Sequence, residues 1–343
     1  MSGPLSLDTL RAIVAEAARA PSAHNVQAAR WATQASEARI VLLRDPSRNL
    51  PVADPTGRDD RAGLGAALEG FALAAGMRGL QVADLSWAAD AHRTCDAATI
   101  RGLDVVATFE LRAGGTEDPL APYVVQRRTW RGALRNDAAA SAALLRLRDD
   151  PDARDARILG HDVAPEVALL VDEATWAFER QPAHHAELWR WLRLNPREPA
   201  YHRDGLTADA MLLSNAERAA ARVLMRPGVF RILQRTGLGR ALVAESGATR
   251  TAAGFICFCP AANASDYEVG RGLYRLWLAA TRAGLVLAPM SAIADHPQSR
   301  TVIEARLALG GGRRLVQIFR AGTIDRQPPR SPRLPVEELL LVP

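Results

Sequence analysis

Hydrophobic positions along the chain recur with two periods, and the switches between them mark out the elements. Residues 7–19 carry helical spacing and run into Ala20-Pro21-Ser22. A proline there ends a helix, because its ring fixes φ and it has no N–H to donate. Residues 30–33 and 39–44 read as strands joined by the polar turn Gln34-Ala35-Ser36-Glu37. Residues 45–61 are broken by Pro, Asn, Asp and Gly and read as a loop. Within it, residues 53–59 form either a lid or the capped entry to the next helix. Helix 62–77 follows, then strand-like runs at 80–85 and 105–111, and Gly114-Gly115-Thr116 closes a first lobe. Later the pattern predicts helices at 138–147 and 166–180, a strand at 157–160, and an amphipathic helix at 184–192. Residues 201–206 read as a loop. Helices broken at Pro227-Gly228 and Gly237-Leu238-Gly239 fill 207–242. Residues 253–259 read as a buried strand, with another passing through Leu287 to Ser291.

Part of this pattern occurs twice. Residues 65–80 align without a gap to residues 270–285, and seven of the 16 pairs are identical: a leading Gly, two Leu, Ala-Ala, and a closing Gly-Leu. Each copy is a small-residue helix stopped by glycine and followed at once by a strand. Gly79 and Gly284 sit where a left-handed helix cap is needed. The expected architecture is therefore α+β, with two related lobes at 1–118 and 119–343. The second carries a helical insertion at about 163–245.

Composition narrows the chemistry. The 343 residues carry 43 basic and 38 acidic side chains, a net charge of +5, and every basic residue other than His is Arg. With no Lys, Schiff-base chemistry and a Walker-type phosphate loop are excluded, and Arg alone is left to meet an anionic ligand. No basic block is interleaved with aromatics, so nucleic acid is not an expected partner. Three cysteines, Cys95, Cys257 and Cys259, are too few for a disulfide framework. The start of the chain lacks a signal-peptide pattern and no apolar run is long enough to cross a bilayer, so the expectation is a cytoplasmic protein without a membrane partner. His184, His185 and Glu187 share a helix, but Glu187 lies three residues from only one of the histidines and no third ligand cluster is evident. No metal is expected.

Four segments carry candidate chemistry. The first is the turn Pro21-Ser22-Ala23-His24-Asn25-Val26-Gln27, whose short polar side chains and free amides suit a flat, polar-edged ligand. The second, Gln126-Arg127-Arg128-Thr129-Trp130-Arg131, sets three guanidiniums and a hydroxyl together, which suits phosphate and polyol oxygens. The third is Pro289-Met290-Ser291, directly after the second repeat. The fourth is Pro329-Arg330-Ser331-Pro332-Arg333-Leu334-Pro335. No Ser-His-Asp order or paired-carboxylate signature accompanies them, and His24 is as plausible a structural cap as a proton donor, so no catalytic side chain is assigned.

The Pro-Ser-x-x-Asn-x-Gln turn, with Ala28-Ala29 in place of the usual continuation, resembles that of the FMN-dependent nitroreductase family. Arg127-Arg128-Thr129-x-Arg131 resembles the basic segment at the start of those proteins, and the whole layout resembles the fused two-lobe members akin to the mycobacterial Acg proteins. The resemblance implies FMN as cofactor, with NAD(P)H as candidate reductant. It implies contacts from Pro21, Ser22, Ala23, Asn25 and Gln27 in the turn, and from Arg127, Arg128, Thr129 and Arg131. There, Arg127 would meet the phosphate, Thr129 the ribityl chain, and Arg131 the N1 edge. Pro289, Met290 and Ser291 would pass N5, and Arg330 or Arg333 would return to the phosphate. Because the turn occurs once and the other three segments once, it further implies one FMN per chain in a monomeric pseudo-dimer. The implied activity is hydride transfer from NAD(P)H or an organic substrate to a small acceptor. Flavin storage without turnover and a specialised biosynthetic dehydrogenase are the alternatives.

Overall fold

The alternating runs of the first lobe form one antiparallel sheet. In the computed structural model, which describes residues 6–33, 39–88 and 99–342, strand Ala29–Thr33 pairs with Arg39–Arg44, which pairs with Leu103–Ala113. That strand in turn pairs with Leu80–Trp87. The predicted turn at 34–37 and Cys95 lie outside the described residues. Two-residue strand Leu340–Leu341 adds in parallel beside Ala29–Thr33, while Thr99–Ile100 pairs with Leu103–Ala113. Trp31 on the first strand, Phe71 on helix Arg58–Gly76 and Phe109 on the long strand meet in one cluster. Their ring centroids lie 4.6 to 6.3 Å apart and all three are fully buried. Three aromatic side chains buried together are worth several kcal/mol of apolar transfer and fix the helix to the sheet, roughly 2–3 kcal/mol each.

The second sheet has the same plan. Strand Ala156–Gly160 pairs with Gly254–Phe258, which pairs with Gln317–Gly322, which pairs with Val286–Pro289, all antiparallel. Taken in chain order, each lobe runs helix, strand, strand, helix, strand, strand, and in each sheet the fourth strand lies inside the third. The second lobe differs by an insertion between its first two strands, residues 161–253, and by helices Ser291–Asp295 and Pro297–Arg306 between its last two. Gly79 and Gly284, the paired exits of the repeat, both take positive φ (69° and 91°), as a left-handed cap requires.

The described chain divides into two compact units. One comprises Met1–Gln126, Asp266–Tyr274 and Pro332–Pro343; the other comprises Arg127–Ser265 and Arg275–Ser331. The sequence division at 118/119 differs from this. Segments 266–274 and 332–343 pack with the first unit, and the chain passes into the second only at Arg127. Within the first unit the two repeat helices touch through their leading glycines. A methyl group built on Gly65 would lie 2.0 Å from the Tyr267 carbonyl oxygen, and one on Gly270 would lie 1.9 Å from the Ala62 carbonyl oxygen. Each glycine meets the residue three before its counterpart, so the contact is reciprocal, as in an isologous interface.

Several predicted boundaries move. Helix Arg58–Gly76 starts four residues before the predicted position, because Arg58-Asp59-Asp60-Arg61 is a polar first turn and not loop. Acidic side chains favour a helix start, and Asp54 accepts from the Asp60 amide at 2.9 Å. Residues 53–59 are thus the capped entry. Helix Leu7–Ala17 ends three residues before Pro21 is reached, with Ala18 to Ala20 in turns. The stretch read as loop at 201–206 holds a short 3-10 turn, Pro199–His202, and the start of strand Leu206–Thr207.

Candidate functional site

The Pro-Ser turn is built from a left-handed backbone that its sequence does not announce. His24, Asn25 and Gln27 have φ of 46°, 57° and 56°, a region that non-glycine residues enter at a cost. Neighbours hold them there. Ser22 Oγ accepts from the Gln27 amide at 3.1 Å, and the Asn25 amide donates to Ser22 O at 3.0 Å. Buried Arg30 donates to the Gln27 carbonyl at 2.8 Å and pairs with Asp45 at 2.9 Å. The tail closes the turn from the other side. Asn25 Nδ2 donates to Pro332 O at 3.1 Å, and the Leu334 amide donates to Gln27 Oε1 at 2.9 Å. Arg333 donates to Asn25 Oδ1 at 3.0 Å and to the carbonyls of Ala18 and Arg19.

Asn25 and Arg333, expected to face a ligand, therefore bond each other through their side chains, and Gln27 bonds the Leu334 amide. Pro21, Ser22 and Ala23 are half-buried beside a cavity of about 40 Å³ that Trp31, Asp54, Asp60 and Leu64 also line. Arg330 lies exposed in the irregular segment before the tail, so of the two tail arginines Arg333 is the one that returns to a predicted segment.

In the second unit, the arginine segment lies against the third. Thr129 forms a parallel bridge with Leu287, and the Trp130 amide donates to Leu287 O at 3.0 Å. This sets Arg127, Thr129 and Arg131 beside the strand that ends in Pro289. Arg127 is buried, its guanidinium 4.7 Å from the Trp277 ring centroid, a stacking that fixes the plane of the fork. Arg128 turns back to the Arg127 carbonyl at 2.7 Å. Met290 is buried, with its amide bonded to Ile318 O at 2.8 Å. Pro289 has no N–H, so the amide of these three that a strand leaves available is that of Ser291, the first residue of helix Ser291–Asp295. Its hydroxyl accepts from Gln317 Nε2 at 2.8 Å.

A residue absent from the sequence-based site supports this region from below. Arg320, at the middle of strand Gln317–Gly322, is 2% exposed and donates to the Arg131 carbonyl at 2.6 Å and to Thr249 Oγ1 at 3.4 Å. Thr249 Oγ1 donates to the Glu245 carbonyl at 2.9 Å. Burial lowers the pKa of both Arg131 and Arg320, with Glu245 opposing, and burial raises the Glu245 carboxyl despite the two arginines. An Arg inside an otherwise apolar strand, Gln-Ile-Phe-Arg-Ala-Gly, was the available signal. It also explains why that strand was not predicted: the charge interrupts the apolar run.

The counterpart of the Pro-Ser turn in the second lobe, between helix Ala138–Arg148 and strand Ala156–Gly160, reads Asp149-Asp150-Pro151-Asp152. Arg275 pairs with Asp152 at 2.7 Å, and Arg282 with Asp150 at 2.6 Å. A turn so acidic and so paired is unsuited to an anionic cofactor.

A helix–strand–strand lobe present twice, one strained Pro-Ser turn and one arginine segment seated on a strand edge make this an α+β protein of two like-built sheets. No family model matches the chain. It is 26% identical over 344 residues to the Mycobacterium tuberculosis H37Rv protein named "Putative NAD(P)H nitroreductase acg", covering 98% of this chain and 97% of the relative. Solved structures similar to it include the FMN-dependent nitroreductase NfnB from Mycobacterium smegmatis in complex with NADPH, with TM-score 0.36 and 17% identity over 62% of this chain and 93% of that one. The FMN and NADPH-dependent nitroreductase NfnB from sphigopyxis sp. strain HMH gives 0.35 and 15% over 63% and 95%. Both scores lie below 0.5 and carry nothing further about this chain.

Proposed function

We propose that this chain is an FMN-dependent oxidoreductase of the nitroreductase kind, moving hydride between NAD(P)H or an organic substrate and a small acceptor. The observation that carries the reading is the bridge from Thr129 to Leu287, which brings two separately predicted cofactor segments onto adjoining backbone. The donor set fits the cofactor: residues 126–131 and 287–291 contain three Arg, one Thr and one Ser and no carboxylate. Arg127 and Thr129 would hold phosphate and ribityl oxygens, while Arg131, with Glu245 and Arg320 near it, would set positive charge at the pyrimidine edge. The Ser291 amide would meet the ring edge. Bound FMN supplies the two-electron chemistry. On the protein side, Arg320 fixes the Arg131 backbone.

The test begins with the visible spectrum of the purified protein and the identity and quantity of any released cofactor. One FMN per chain is expected, since the second lobe's equivalent turn is acidic. Arg127→Ala should weaken FMN binding about 10- to 100-fold, the loss of a charge-assisted hydrogen bond. Two FMN per chain would overturn the single site, and none after reconstitution would overturn the oxidoreductase. NADPH oxidation with a nitroarene or quinone acceptor establishes turnover. Bound FMN that dithionite reduces and nicotinamides never do would leave flavin storage as the function.

A further inference from the structure

The chain's whole net charge sits in one short run. Residues 214–243 hold six Arg and one Glu, a net +5, equal to that of all 343 residues, so the rest of the chain is neutral. The run forms helices Asn215–Leu224, Pro227–Arg235 and Leu238–Leu242. Its inner side is anchored within the second unit. Phe230 stacks on His185 with centroids 3.7 Å apart and planes at 6°, and Gln234 Nε2 donates to Glu179 O at 2.9 Å. Its outer side mixes charge with aliphatic surface. Arg222, Arg226, Arg231, Arg235 and Arg240 are exposed, and so are Val223 (49%), Ile232 (63%), Leu238 (59%) and Leu242 (43%). Among the described residues these are four of the twelve large hydrophobics that stand exposed.

From this we infer that the outer face of residues 214–243 is a docking surface for an anionic lipid bilayer, on which the three helices lie in the interfacial plane. A second copy of the chain is disfavoured as occupant, because two faces of +5 repel. Ile232 falls between Arg231 and Arg235 on one helix, and Val223 follows Arg222 on another, with Arg226 in the connection between the two. Aliphatic side chains entering the acyl boundary while guanidiniums stay at lipid phosphates matches that interleaving, and needs no pocket for a partner's side chain. A helix long and apolar enough to cross a membrane is absent from the described residues, which bears on spanning and not on lying at a surface.

The test is co-sedimentation of the full chain with vesicles of phosphatidylcholine alone and of phosphatidylcholine mixed with phosphatidylglycerol. Binding to the mixed vesicles alone, weakened by salt, is expected. Arg231→Gln with Arg235→Gln should lower the partition coefficient about 25-fold, at roughly fivefold per arginine. Ile232→Ser with Leu238→Ser should lower it at high salt as well as low. The exposed pair Arg148→Gln with Arg197→Gln, elsewhere in the same unit, should leave binding unchanged, and unaltered circular dichroism would confirm that all variants fold. Equal binding to both vesicle types, or no binding to either, overturns the inference. So does capture of polyglutamate without capture of vesicles, which would assign the face to an acidic polypeptide. An Arg effect with no aliphatic effect would place the helices off the bilayer and overturn insertion.

Discussion

Arg333 shows how a surface-like tail residue comes to govern a strained turn. Its guanidinium reaches two carbonyls at the end of the first helix and the side chain of Asn25, while the next residue's amide bonds Gln27. Left-handed φ at three non-glycine residues persists only where the surroundings over-determine it. Arg333→Ala should therefore cost about 2 kcal/mol in urea unfolding, with greater amide exchange at residues 22–27. Arg333→Lys, which cannot fork between acceptors, should recover only part of the loss. The two described cysteines illustrate the opposite case. Cys257 and Cys259 are buried in the apolar core, and burial pushes the Cys259 thiol up to about 11 and the Cys257 thiol higher still. They behave as packing residues.

At the scale of elements, apolar periodicity located most helices and strands, and the glycine exits located two caps. What escaped was set by interactions remote in sequence. The central strand Gln317–Gly322 hides behind Arg320, whose burial depends on carbonyl and hydroxyl acceptors contributed from residues 131 and 249. The strained turn hides because Asn25 and Gln27 find their partners more than 300 residues away. The four candidate segments themselves were legible, since Pro, Ser, Arg and Thr declare their chemistry locally. Whether each polar group faces a ligand or its own chain was not. His184 and His185 make the same point. Both bond Glu179, at 3.2 and 2.7 Å, while His185 Nε2 bonds Met225 O at 2.9 Å.

Burial alone would raise the Glu179 carboxyl, but the two histidines override it and hold it below its usual value. A carboxyl depressed on folding lends stability that is complete above its unfolded pKa and lost as pH falls through the folded one. Acid below the ordinary carboxylate range should therefore loosen helices Pro182–Trp191 and Pro227–Arg235 first. Limited proteolysis across a pH series should cut there before elsewhere, and Glu179→Gln should abolish that pH dependence.

For the molecule as a whole, the repeated strand order is the principal fact. Two sheets share one plan, and the second is interrupted by an inserted run of helices between its first two strands. The helices that repeat also touch reciprocally at Gly65 and Gly270, where a methyl group has no room. Either Gly65→Ala or Gly270→Ala should cost about 3 kcal/mol or more, because the obstruction is backbone carbonyl on both sides. Gly228→Ala, which meets nothing within 4 Å, should be neutral or slightly stabilising. Thermal melts of the three variants would check this ordering.

That reciprocity has a genetic meaning. In a homodimer a self-facing contact is encoded by one codon, so each mutation strikes both sides of the axis simultaneously. Here codons 65 and 270 are inherited separately, and so are the two turns. Selection can let one turn drift to three aspartates while its sibling retains Pro-Ser, a divergence that two identical subunits can never achieve.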